Sequence, residues 1–145
     1  MACDSGSVKA MTPFGRRLRV LRAERGLTLK AMAADLGVSP AYLSALEHGH
    51  RGRPNRRFVH RVCQTLNIIW DDAEDLQRLA DLSHPRTTVD TAGLSPEATE
   101  LANRLAEQID RLPQDVIERM LDEIRRTARD DRVSTLDEPI RKQAG

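Results

Sequence analysis

Apolar residues recur every three or four positions through most of the chain, in short runs separated by Gly, Pro, Ser and Thr. This is the pattern of amphipathic helices. Thr12 caps and Pro13 opens a first helix reaching about Arg25, with Phe14, Leu18 and Leu21 inward and Gly26 ending it. Thr28 caps a second, in which Met32, Ala33 and Leu36 share a face. Gly37 stops it, because a left-handed residue there is free of a Cβ clash. Val38 plugs the turn, Ser39 caps a third helix, Pro40 takes its first position, and Leu43 and Leu46 face inward. His50–Asn55 is a Gly/Pro/Arg loop. A fourth helix over about 56–66 puts Phe58, Val62, Cys63 and Leu66 on one side. A fifth begins at Trp70 and passes through Ala73, Leu76, Leu79 and Ala80 to end near Ser83.

Beyond a Pro/Thr/Gly stretch, Ser95-Pro96-Glu97 opens another helix, with a cap, a proline and an acid in its first turn. Ala98, Leu101, Ala102, Leu105, Ala106 and Ile109 form one stripe. Leu112-Pro113 breaks it, and Val116, Ile117, Met120, Leu121, Ile124 and Ala128 form a second. The expected organisation is all-α. Residues 1–11 are a disordered tail, 12–83 a five-helix domain, 84–94 a linker, 95–129 a helical hairpin and 130–145 a loose polar tail. A hairpin of roughly 35 residues cannot bury enough apolar area alone. It needs either the first domain or a second copy.

Charge sharpens this division. The net charge of +1 conceals twelve Lys/Arg against three acids over 9–61, then eleven against eighteen from Val62 onward. A basic half joined to an acidic half fits a nucleic-acid binder with a separate interaction part. Aromatics are only 3% of the 145 residues, so the core is aliphatic. Neither a transmembrane-length apolar run nor a signal-peptide core is seen. Two cysteines, Cys3 and Cys63, suggest no disulfide framework and a reduced cytoplasmic setting.

The chemistry concentrates in Thr28–Gly49, two short helices around a tight turn with arginines just after them. A small protein places a helix in the major groove of DNA in this way. The outward positions of the second helix, Ala41, Tyr42, Ser44, Ala45 and His48, include no acid, which suits a surface meeting phosphates. Residues 12–82 resemble the XRE-type helix-turn-helix regulators, the phage repressor and Cro-like family. The resemblance rests on Leu18–Arg22, Gly26-Leu27-Thr28, Met32-Ala33, Leu36-Gly37-Val38-Ser39, Leu43-Ser44 and Leu46-Glu47 with Gly49. It implies a lambda-repressor-like domain, duplex DNA as partner, no cofactor or metal, a bacterial or phage origin, and a homodimer reading paired half-sites. It also implies a partly buried bridge between Arg22 and Glu47. Leu29 stands where the family usually carries the Gln that braces the recognition helix on a phosphate, so that contact does not carry over.

On this reading Thr28, Lys30, Ser44, His48 and the loop residues His50, Arg51, Arg53, Arg56 and Arg57 meet phosphates. Pro40, Ala41, Tyr42 and Ala45 lie against base edges, and Ser39, the cap, belongs to the same DNA-binding surface. With few amide or guanidinium groups there, readout leans on thymine methyls, water and DNA shape. Leu101, Leu105, Ile109, Ile117, Leu121 and Ile124 form the dimer seam. Repression by promoter occlusion is the simplest outcome.

Each reading has a rival. The arginines can be a solvated face, and the stripes a cover for the core. His60 and Cys63, one turn apart, lack two further ligands for a metal site. A cysteine on an apolar face is usually inert core. No phosphate loop, HExxH or paired nucleophile appears, so no enzyme is expected. Asp71, Asp72, Glu74 and Asp75 complement a helix dipole. Two other functions remain open: a DNA-binding antitoxin whose C-terminal half wraps a toxin, and an adaptor whose helical domain binds a polypeptide.

Overall fold

The computed structural model describes residues 11–136, with side chains described as far as Arg129. The chain forms two units, meeting at Thr88 and Val89, which falls inside the stretch expected as a linker. In the first unit lie α1 (Pro13–Glu24), α2 (Leu29–Leu36), α3 (Pro40–Glu47), α4 (Arg56–Leu66) and α5 (Asp71–Asp81). In the second lie α6 (Pro96–Gln108) and α7 (Gln114–Leu136). No strand occurs among the described residues.

Local chemistry sets the helix starts. Thr12, Thr28, Ser39 and Asn55 each hold an extended backbone and accept, through the side chain, an N–H that the first turn leaves unpaired. Glycine or asparagine sets several ends. Gly37 lies at φ 70° and Asn67 at φ 55°, both left-handed. Asn55 and Asn67 thus bracket α4, roles that the pattern of the sequence does not announce. Phe14, Leu18, Met32, Ala33, Leu36, Leu43, Leu46, Val62, Leu76 and Ala80 are all within 2% of complete burial and make one core from all five helices.

The fifth helix departs from expectation at its start. Trp70 does not begin it; the indole is 81% exposed and its backbone sits at φ 56°, ψ −130°, outside the helix. The helix opens instead on Asp71, with Asp72 and Glu74 in its first turn against the positive end of the dipole. At its far end Ser83 is buried. Its hydroxyl accepts from Phe14 N–H at 2.9 Å and donates to Leu79 carbonyl at 2.5 Å, tying the end of α5 to the start of α1.

In the second unit Ser95 caps α6 on Ala98 N–H, and Ile109–Pro113 joins the two helices. No residue there is buried among those with described side chains. Leu105 and Ile117 are half-buried, whereas Leu101, Ile109, Leu121 and Ile124 stand 41–64% exposed. Helix α7 continues to Leu136, into the stretch expected as a loose tail, because nothing from Asp115 to Leu136 breaks a helix. Most of the N-terminal tail, 1–10, and the end of the C-terminal one, 137–145, lie outside the described residues.

Candidate nucleic-acid interface

Helices α2 and α3 with the Gly37 turn form the helix-turn-helix. Val38 N–H closes the turn on Ala33 carbonyl at 3.0 Å, and Val38 packs against the core. Thr28 and Ser39 hydroxyls accept from Ala31 and Tyr42 N–H at 3.0 and 3.1 Å. Both are exposed, so each hydroxyl can still donate outward. Lys30, Pro40 and Ala41 are exposed, and Ser44, Ala45 and His48 are half-buried along the same helix pair.

Tyr42 departs from a purely outward placement. Its ring packs edge-on to Phe58, centroids 6.3 Å apart, and Arg51 lies over its face at 5.7 Å. The body of the side chain therefore belongs to the core margin, and its outer face holds an arginine by cation–π attraction. His48 Nδ1 lies 2.8 Å from Ser44 carbonyl, which can only accept, so that nitrogen carries the proton and Nε2 points elsewhere. The His48 and His50 rings stack at 6.4 Å.

The loop after α3 is held in shape. Gly49 (φ 81°) follows the helix end, and His50 N–H reaches back to Ala45 carbonyl at 2.8 Å. Pro54 is buried, and Asn55 starts α4. Arg51, Arg53, Arg56 and Arg57 all stay exposed. Arg53 approaches Asp81 at 3.9 Å, a surface pair worth at most about 1 kcal/mol. Arg56 and Arg57 stand in the first turn of α4, where unpaired N–H groups already favour an anion.

The recognition helix is fastened to α1 at its last residue. Arg22 Nη1 meets Glu47 Oε1 at 2.6 Å, and Glu47 carbonyl accepts from Thr12 N–H at 3.1 Å. Two further arginines serve structure in ways the sequence does not signal. Arg25 donates to Leu66 carbonyl at 2.9 Å and Arg61 to Leu36 carbonyl at 3.0 Å, each closing a helix end. Nothing in residue type separates them from the arginines left free, since only the fold decides which carbonyls come within reach. His60 is exposed and Cys63 buried, and burial pushes the Cys63 thiol above its ordinary pKa, away from reactivity. Among the described residues no helix is long and apolar enough to cross a membrane.

Burial raises the Glu47 carboxyl pKa above its usual 4.5; attraction to Arg22 offsets part of this. The folded chain thus binds that proton more tightly than the unfolded chain. The contribution is present in full below 4.5 and is lost as pH rises through the raised value. Glu47→Gln removes the titration. The stability difference between wild type and Glu47→Gln should therefore shift in favour of wild type from pH 7 to pH 4.5, measured by urea unfolding. A shift the other way would mean that Arg22 outweighs burial.

A helix-turn-helix domain family model matches residues 13–79. YazB of Bacillus subtilis, an uncharacterized HTH-type transcriptional regulator, is 34% identical over 59 residues, 41% of this chain and 84% of YazB. The chain belongs to the XRE-type helix-turn-helix transcriptional regulators. Among other members of this XRE-type family, the HTH-type transcriptional repressor RghR of B. subtilis is 39% identical over 61 residues, 42% of this chain and 45% of RghR. The HTH-type transcriptional regulator SinR of the same species is 31% identical over 55 residues, 38% of this chain and 50% of SinR. The chain thus spans about half the length of RghR and SinR. No solved structure matches it.

Proposed function

We propose that this chain is a sequence-specific duplex-DNA-binding transcriptional regulator acting as a dimeric repressor on an inverted repeat. The observation that carries the reading is the face made by α3 and the following loop. Small side chains, Pro40, Ala41, Ser44 and Ala45, occupy the helix, and Arg51, Arg53, Arg56 and Arg57 stand exposed just after it with no acid among them. Small side chains let the helix backbone sit deep in a groove, and the cations flank it where phosphates run. Lys30, Thr28, Ser44, His48 and His50 add donors to the same surface. Readout then falls on thymine methyls, bridging water and the shape of the duplex.

The second unit supports dimerisation. Among the described residues its two helices bury no side chain and leave Leu101, Ile109, Leu121 and Ile124 in solvent. A second copy is the partner every such chain has, and a two-fold pair would present two recognition helices about 34 Å apart.

The experiment is a titration of duplex DNA with the Arg51→Ala, Arg53→Ala, Arg56→Ala triple variant. Affinity should fall for every sequence, and the slope of log K against log salt should become shallower by about 0.9 for each phosphate no longer neutralised. Unchanged affinity and slope would remove the arginine loop from the interface. Insensitivity of the wild type to salt would favour a polypeptide partner instead.

A further inference from the structure

Besides its histidines the chain has four aromatic residues, and three of them stand in one row. Phe14, in the first turn of α1, is fully buried. Its ring meets Phe58 of α4 edge-on with centroids 6.4 Å apart, and Phe58 meets Tyr42 of α3 in the same way at 6.3 Å. The row starts in the core and ends at the surface, because Tyr42 is only half-buried. Arg51 lies over the Tyr42 face there, its guanidinium carbon 5.7 Å from the ring centroid.

The loop brings Arg51 to this place. Tyr42 stands in the first turn of α3 and Arg51 beyond the end of that helix. Gly49 and Gly52, on either side of His50 and Arg51, hold φ at 81° and 75°, and His50 N–H turns back onto Ala45 carbonyl at 2.8 Å. The chain therefore folds back on α3, and the Arg51 side chain reaches Tyr42.

The loop arginines differ in what holds them. Arg53 approaches Asp81 at 3.9 Å, whereas among the described residues no carboxylate pairs with Arg51. A ring face attracts the cation without using an N–H, so the five donors of the guanidinium stay available for a phosphate. The contact also narrows the rotamers of a long exposed side chain before DNA arrives. Ordering such a side chain only on binding would cost affinity.

We propose that Tyr42 is a positioning residue for DNA binding: its ring, braced on Phe58, holds Arg51 ready for a phosphate, and Tyr42 acts through that arginine and not through a base contact of its own. The inference rests on the reading of α3 and its loop as the DNA surface.

The test is a double-mutant cycle on the whole chain, read as affinity for a mixed-sequence duplex at low salt, where phosphate contacts carry the binding. Tyr42→Leu keeps apolar bulk against Phe58 and removes the aromatic face. It should weaken binding about two- to five-fold when Arg51 is present, the worth of an exposed cation–π contact, and change nothing in the Arg51→Ala background. Tyr42→Phe keeps the face and should bind as wild type does. Equal losses in both backgrounds would make Tyr42 a support of the fold or a contact in its own right, and overturn the proposal. A loss with Tyr42→Phe assigns the effect to the hydroxyl and overturns it too. A wild type that does not bind the duplex overturns the DNA reading itself. A wild type that binds, with Arg51→Ala costing nothing, overturns only the part given to Tyr42 and Arg51. Nuclear magnetic resonance of the wild type supplies a check that needs no variant. Arg51 side-chain protons lying over a ring face are shifted upfield, and they should stay so as duplex is added. Their return to ordinary positions means that the arginine leaves the ring in order to bind, and the proposal falls.

Discussion

Gly15→Ala is expected to unfold the first unit at temperatures where wild type is native. Gly15 is buried under the last residue of the recognition helix. A methyl group placed there falls on Glu47 carbonyl oxygen and lies 2.7 Å from Glu47 Cα. The obstacle is backbone on both sides, so no side chain can swing away. Either α1 lifts from α3 or the end of α3 bends. Overpacking of this kind costs about 3 kcal/mol or more. For a unit of this size that lowers the midpoint by roughly 12–24 °C, since each kcal/mol is worth several degrees. Thermal circular dichroism decides it, and a midpoint within about 3 °C of wild type would show that the two helices are free to separate. Separation would also release Thr12 and Arg22 from Glu47, so DNA affinity should fall together with stability.

Ala41→Glu should do the opposite to stability and more to function. Ala41 is exposed at the second position of α3, whose first turn carries no acid. A carboxylate there meets the positive end of the helix dipole and is worth a few tenths of a kcal/mol to the fold. The same carboxylate at a groove faces phosphates and base acceptors. Specific affinity should fall at least roughly 100-fold, or about 2.7 kcal/mol, with an unchanged or higher melting point. Ala45→Glu on the same face should act alike. Near-normal binding by a folded Ala41→Glu variant would place the reading surface on another element.

The helices and caps of the first unit are legible in the sequence because their cause is local. Thr12, Thr28 and Ser39 each precede an apolar run of period 3.6, and Gly37 follows one, so neighbours in sequence suffice. What escapes depends on residues far apart. Gly15 resembles any small residue in a helix; its necessity comes from Glu47, thirty-two positions on. Ser83 reads as the end of a helix, yet its hydroxyl serves Phe14 at the other end of the unit. Arg25 and Arg61 read as part of a basic surface, and only the fold brings carbonyls to them. Trp70 reads as the first residue of α5 because an aromatic before an acidic run looks like a helix opening inward. Its left-handed backbone turns it outward instead. In the second unit periodicity locates both stripes, but periodicity names no partner. Which of Leu101, Leu105, Ile109, Ile117, Leu121 and Ile124 faces inward is answered only by the fold, in which Leu105 and Ile117 alone of the six are half-covered.

Glu47 gathers several of these contacts on one residue: its carboxylate holds Arg22, its carbonyl holds Thr12, and its Cα lies against Gly15. All of them are on the side of α3 away from Ala41 and Ala45. Glu47 thus adds to the anchorage that the buried Leu43 and Leu46 give the helix, and the exposed Ala41 carries none of it. On the reading proposed above, exchanging Pro40, Ala41, Ser44 or Ala45 redirects the chain to a different operator while Glu47 keeps its contacts. On that same reading, a lineage descended from this protein would change which genes it answers to by a handful of substitutions on this face, with Glu47, Gly15, Thr12 and Arg22 left in place. The same separation makes those four outward positions the place to begin when retargeting the domain by selection.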